Sequence, residues 1–106
     1  MAPRSQFKRI DVATARELLD EGEVEIIDVR DAASFSQAHI ERARNVSDRN
    51  VGDLLTSLPK DRPILIYCYR GNGSQVFAQI FVDFGFTDVY SMDGGFEAWR
   101  AVMSDA

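Results

Sequence analysis

The sequence predicts an α/β fold, a parallel sheet with helices on both faces. Three observations lead there. Short apolar runs that suit buried strands alternate with stretches whose apolar residues recur at helical spacing. Residues that start or stop helices stand at the junctions, among them Asp11, Gly22, Pro59 and Gly85. No repeat, low-complexity tract or linker interrupts the alternation, and 106 residues bury one core but not two. The chain is therefore read as a single domain, 1–106. Strands that alternate with helices pair in parallel and are covered on both sides.

Each element has its own justification. Phe7 to Ile10 is a short strand candidate. Asp11 then caps a helix to Asp20 that turns Val12, Ala15, Leu18 and Leu19 to one side, with Gly22 closing it. Val24 to Val29 reads as a strand, Ala33 to Ala38 as a short helix, and Arg44 to Val46 as a brief strand. Val51 to Leu58 is a helix stopped by Pro59, and Pro63 to Tyr67 is the strand with the most buried character. Ser74 to Phe84 is a helix with Val76, Phe77, Ile80, Phe81 and Phe84 at helix spacing, so Phe77, Phe81 and Phe84 are expected in the core. Gly85 ends it. Asp88 to Tyr90 is a last strand and Gly95 to Val102 a last helix.

Composition removes several function classes. Hydrophobic residues at 45% and charged residues at 27% are those of a globular chain and argue against disorder. A net charge of −5 with no lysine or arginine block makes nucleic acid a poor partner. No apolar stretch approaches the roughly 20 residues of a membrane helix, and Met1 to Lys8 lacks the apolar core of a signal peptide. The expected location is cytoplasmic, with no membrane partner. One cysteine and one histidine form neither an internal disulfide nor a zinc site.

The chemistry is expected where Ile64-Leu65-Ile66-Tyr67 runs into Cys68-Tyr69-Arg70-Gly71-Asn72-Gly73-Ser74. The lone thiol stands at the carboxyl end of an apolar strand, followed by a glycine-containing loop and a helix start. Ligands of parallel sheets bind at such strand ends. Gly71 and Gly73 let successive N–H groups turn inward as an anion-binding nest. The helix dipole favours a thiolate, Arg70 adds a cation, and Ser74 can cap the helix and offer its hydroxyl to the loop. A lone cysteine after apolar residues is otherwise a small buried hydrophobe; the loop tips the reading toward a reactive one. Cysteine hydrolysis needs a histidine, and only His39 is present, where a structural role is at least as good a reading. Phosphate-ester chemistry commonly uses Cys-x5-Arg, and the residue at that place is Ser74. Sulfur transfer asks for less: a thiolate attacks a sulfane sulfur, an anion leaves, and a persulfide anion is held by amides without a proton shuttle.

Four blocks carry a family resemblance: Ile27-Asp28-Val29-Arg30-Asp31; Phe35 with Ala38-His39-Ile40 and Ala43 to Val46; Cys68 to Ser74; and Tyr90-Ser91-Met92-Asp93-Gly94-Gly95-Phe96-Glu97-Ala98-Trp99. In this order and spacing they resemble the single-domain rhodaneses, thiosulfate sulfurtransferases of the bacterial GlpE type, from about Phe7 to Val102. The resemblance implies a rhodanese-like α/β fold with five parallel strands and a core of about 7–102. It implies that Cys68 carries sulfur as a persulfide, cradled by Tyr69, Arg70, Gly71, Asn72, Gly73 and Ser74 through backbone N–H groups. The implied donor is thiosulfate or another sulfane-sulfur compound, with sulfite released. The implied acceptors are cyanide, thioredoxin, glutathione or a sulfur-carrier protein, and no metal or organic cofactor takes part. Phosphatase relatives share the fold but carry a loop one residue longer that ends in arginine. Two departures stand out: Ala38 replaces the usual glycine before His39, and Gly73 stands where many members have arginine, leaving Arg70 to replace that charge.

Asp28 and Arg30, two apart on a strand, share a face. They are read as supporting residues, either orienting the rim of the loop or forming a structural salt bridge, with the second preferred. Asp93-Gly94-Gly95 is read as a helix start with tight backbone packing. Tyr69 either shapes a pocket entrance or fills space. The alternative to a turnover enzyme is a persulfide relay that takes sulfur from a protein partner and handles thiosulfate poorly. A weaker third reading is a cysteine phosphatase.

Overall fold

A computed structural model describes residues 6–104. The expectations for Met1 to Ser5 and for the outermost ends of the domain lie outside these residues. The described residues form strands β1 (Lys8–Ile10), β2 (Glu25–Asp28), β3 (Arg44–Asn45), β4 (Ile64–Tyr67) and β5 (Val89–Met92). Between and after them run helices α1 (Val12–Asp20), α2 (Ala32–Gln37), α3 (Val51–Ser57), α4 (Gly73–Asp83) and α5 (Gly95–Ser104). The strands make one parallel sheet in the order β1-β5-β4-β2-β3. The chain steps outward from β2 to β3, then returns past β2 to β4. The strand order thus reverses between β2 and β4, which is where α/β sheets open a crevice.

Period-two alternation divides the core. Ile27, Ile64, Ile66 and Val89 pack under α3 and α4 with Leu54, Leu55, Ala78 and Phe81. Ile26, Leu65, Tyr67 and Met92 face α1 and α5, meeting Val12, Ala15, Phe96 and Trp99. Both faces are covered, as expected. Asp11 caps α1 by accepting from the Thr14 N–H at 2.9 Å, and Asp31 caps α2 by accepting from Ser34 N–H at 2.8 Å. No helix among the described residues is long and apolar enough to cross a membrane.

Some expectations change. β5 runs on to Met92, so Ser91 and Met92 belong to the sheet and are fully buried. Arg30 lies past the end of β2 and shares no strand with Asp28. Phe84, expected in the core, is 55% exposed, and Val76 is 63% exposed. The sheet receives only a narrow stripe of α4, through Ala78, Phe81 and Val82, and Phe84 sits at the C-cap where the chain leaves the helix. Phe81 meets Phe86 edge to face at 5.0 Å. Phe77 is half-buried against the same cluster.

Candidate active site

Cys68 follows β4, the middle strand of the sheet, and only 5% of its surface is exposed. The loop then turns tightly. Gly71 holds φ +103°, a conformation side chains rarely adopt, and a Cβ there would meet the Gly94 nitrogen at 3.0 Å. Its N–H donates to the Cys68 sulfur at 3.1 Å. The thiol in turn donates to the Ser74 hydroxyl at 3.5 Å. Burial pushes the thiol's pKa up, but hydrogen bonds from the Ser74 hydroxyl and from the Ser74, Gly71 and Arg70 amides outweigh it. The net direction is down, toward the thiolate.

The amides face the sulfur because the carbonyls are tied elsewhere. Phe96 N–H donates to the Cys68 carbonyl at 2.8 Å and Glu97 N–H to the Tyr69 carbonyl at 3.1 Å. A planar peptide sets its N–H opposite its C=O, so holding the Tyr69 carbonyl outward aims the Arg70 N–H inward. The Gln75 side chain holds the Gly71 carbonyl in the same way at 2.8 Å. For the first turn of α5 to come this close, Gly95 must lack a side chain: with φ +58°, its Cβ would stand 2.5 Å from the Tyr69 carbonyl carbon. The tight packing read from Asp93-Gly94-Gly95 has the active loop itself as its partner.

The remaining expected site residues fall into three groups. Ser74 does not cap α4: Asn72 is the cap, without a side-chain bond, and Ser74 lies one residue inside the helix start at Gly73. It is fully buried, and its hydroxyl bridges Cys68 and the Ser91 hydroxyl, the latter at 2.8 Å. A Cβ on exposed Gly73 would stand 4.0 Å from the sulfur, so this position leaves the approach to the thiol open. Arg70 is 77% exposed and pairs with Glu97 on α5. Tyr69 is 47% exposed and lies over the rim, with its hydroxyl 3.3 Å from the Ser34 hydroxyl. It lines a cavity of about 190 Å³ with Ser34, Gln37, Phe96, Glu97 and Arg100.

Asp28 and Arg30 form a closed unit beside the loop. Arg30 Nη2 donates to Asp28 Oδ2 at 2.8 Å and to the Ala38 carbonyl at 2.6 Å, with side chains 5% and 0% exposed. Burial opposes the Arg30 charge more than any other single influence, but the Asp28 hydrogen bonds and charge together with Tyr67 outweigh it, so the guanidinium pKa moves up. The Phe96 ring sits 4.1 Å from its Cζ. Burial and the Asp28 carboxylate push the Tyr67 hydroxyl up as well. His39 stacks on Phe35 at 3.8 Å and its Nδ1 meets the Phe35 carbonyl; it makes no hydrogen bond to Cys68. Sequence reasoning overlooked Ser91, Glu97 and Gln75, each of which bears on the loop. Only Gln75 carried a local signal, standing four residues after Gly71 at helical reach.

A parallel α/β domain with one thiol in a cradle of backbone amides, at the end of its middle strand, defines a class of cysteine-centred domains. Comparison with known proteins names the family. The rhodanese-like domain profile matches residues 11–102, and the chain belongs to that family. It is similar to the thiosulfate sulfurtransferase GlpE of Pseudomonas aeruginosa strain LESB58, 43% identical over 96 residues, covering 91% of this chain and 86% of that protein. The protein of the same name from Pseudomonas putida strain GB-1 is 45% identical over 97 residues, with coverages of 92% and 88%. Among solved structures, a rhodanese-like domain protein from Staphylococcus aureus superposes with a TM-score of 0.75 at 26% identity, covering 88% of this chain and 91% of that one.

Proposed function

We propose that the protein is a thiosulfate sulfurtransferase in which Cys68 takes the sulfane sulfur of thiosulfate, releases sulfite and holds a persulfide. The observation that carries this is the cradle: the sulfur is met by amide hydrogens and a hydroxyl, with no imidazole bonded to it. Such a site stabilises an anion that must wait for an acceptor, which is the demand a persulfide makes. The buried Ser74 hydroxyl occupies the place where a phosphatase loop would carry its arginine clamp. In the reaction, the Cys68 thiolate attacks the outer sulfur of thiosulfate, the S–S bond of the donor breaks with its electron pair on sulfite, and a new S–S bond forms on Cys68. A thiol, a sulfur-carrier protein or cyanide then removes the outer sulfur and returns the thiolate. Tyr69 to Ser74 supply the cradle, Arg70 meets the donor anion, and Asp28 with Arg30 hold the rim. The whole chain acts as one rhodanese-like domain, 1–106, in the cytoplasm.

Intact mass after brief incubation with thiosulfate tests this. A gain of one sulfur on Cys68 that cyanide removes is expected. A protein that stays unloaded with thiosulfate but loads from a persulfidated protein would instead be a relay, and one that loads from neither would sink the proposal.

A further inference from the structure

Ser91 is a serine where the strand needs none. It lies in β5 between β4 and β1, pairs in register with Ile66, and is fully buried, with buried Met92 next to it and buried Val89 two residues before it. A hydroxyl there must find a partner or pay a desolvation penalty, and alanine would fill the site without one. Its partner is Ser74 at 2.8 Å, also fully buried, and among the described residues the Ser91 hydroxyl makes no other side-chain hydrogen bond. Ser74 in turn is 3.5 Å from the Cys68 sulfur. Three polar atoms therefore form a line from the reactive sulfur into the sheet.

We propose that Ser91 is a positioning residue for the Cys68 thiolate, acting through the Ser74 hydroxyl. The proposal rests on Cys68 as the reacting nucleophile. In the thiol state the S–H donates to Ser74, and Ser74 donates to Ser91. When the thiol loses its proton to water, the Ser74 O–H turns to donate to the sulfur. Its oxygen is then free to accept from the Ser91 O–H. The thiol state has three protons on the three atoms and uses two of them in these bonds; the thiolate state has two protons and uses both, so the two hydrogen bonds persist in either state. A hydroxyl that accepts one hydrogen bond donates a stronger one, so Ser91 strengthens the bond from Ser74 to the anion. Without Ser91, Ser74 donates alone with its buried oxygen unpaired.

The charged groups around the thiol leave this role to hydroxyls and amides. Asp28 at the end of β2 and Arg30 just past it pair with each other, Asp93 after β5 pairs with Arg9 from β1, and Arg70 pairs with Glu97 from α5. On α5 the other charged group is Arg100, and α4 has none before Asp83. Tyr67, at the end of β4, is turned to Ile40 N–H, which donates to its hydroxyl at 3.0 Å.

The test is the pH dependence of Cys68 alkylation by iodoacetamide, followed by mass, in the full chain. Ser91→Ala is expected to raise the midpoint by about half a unit, slowing reaction below the midpoint about threefold while leaving the high-pH plateau in place. Ser74→Ala raises it further, and Ser91→Ala added to Ser74→Ala moves it no more. Ser91→Thr, which keeps the hydroxyl, restores the wild-type midpoint. Should Ser91→Ala fail to fold, Ser91→Cys keeps the shape with a weaker donor and reads the same upward shift at Cys68 by peptide mapping. A wild-type midpoint in folded Ser91→Ala, or a Ser91 effect that persists without the Ser74 hydroxyl, overturns the proposal. If even the wild-type thiol is inert to alkylation, the nucleophile reading falls and this one with it.

Discussion

The carboxyl ends of β4 and β2 lie side by side where the strand order reverses, and they treat charge in opposite ways. At the end of β2, a full ion pair is buried: Asp28 and Arg30 satisfy each other, and Arg30 reaches on to the Ala38 carbonyl. After β4, no side-chain charge touches the sulfur, and backbone amides and a hydroxyl point at it. Arg70, one of the two arginines nearest in sequence to these ends, has its own carboxylate in Glu97. One end is a closed electrostatic unit that holds shape. The other turns amide and hydroxyl groups toward a thiol. Groups that pair with each other and groups that face the thiol thus stand at the ends of adjacent strands.

The comparison can be broken in order of effect. Cys68→Ser removes the sulfur and little volume, so thiosulfate:cyanide turnover should vanish while circular dichroism and melting stay near wild type. Residual turnover in a clean preparation would contradict the mechanism. Arg30→Ala leaves Asp28 buried without its partner and should destabilise by about 3–5 kcal/mol, read by urea unfolding. If instead stability holds and KM alone changes, the β2 end belongs to the chemistry after all. Gly95→Ala forces φ +58° on a side chain and drives its Cβ into the Tyr69 carbonyl carbon. A loss of about 3 kcal/mol is expected, with turnover falling as the loop shifts.

Smaller effects sharpen the picture. Arg70→Ala should raise the thiosulfate KM more than it lowers kcat, whereas Glu97→Gln, which frees Arg70, should lower KM. The pair is exposed and worth about 1 kcal/mol or less, so each change in KM stays within about fivefold and melting barely moves. An unchanged KM in both variants removes Arg70 from donor binding. The smallest effect concerns the caps. Hydrogen bonds from the Thr14 amide hold Asp11, and those from Ser34 hold Asp31, below the usual carboxylate range. A depressed folded pKa stabilises above the unfolded value and is lost as pH falls through the folded one. Asp31→Ala should therefore melt slightly earlier at neutral pH and coincide with wild type in acid.

Most of the scaffold was legible because its signals are local. Strand, cysteine, glycine loop and helix follow one another between Ile64 and Asp83, and Asp11 stands directly before the helix it caps. Asp28 and Arg30 do pair, as both readings of their spacing required, although Arg30 sits past the strand. What escaped was non-local. Ser91 looks like any polar residue after a short strand, and nothing near it reveals that β5 continues and places its hydroxyl on Ser74. Glu97 looks like a solvated helix residue until Arg70 is brought to it. Phe84 misled for the reverse reason, since helix spacing marks a face but not how far the sheet beneath it extends.

The contact of Gly95 with the loop has a consequence for anyone who would move this site elsewhere. The heptapeptide from Cys68 to Ser74 does not contain the instructions for its own shape. Two of its carbonyls are fixed by the N–H groups of Phe96 and Glu97, and Gly95 is what allows that approach. The smallest portable unit is two segments, Cys68 to Gln75 and Gly94 to Glu97, held at a fixed spacing by adjacent parallel strands. A graft of the loop alone would carry the thiol and leave its cradle behind.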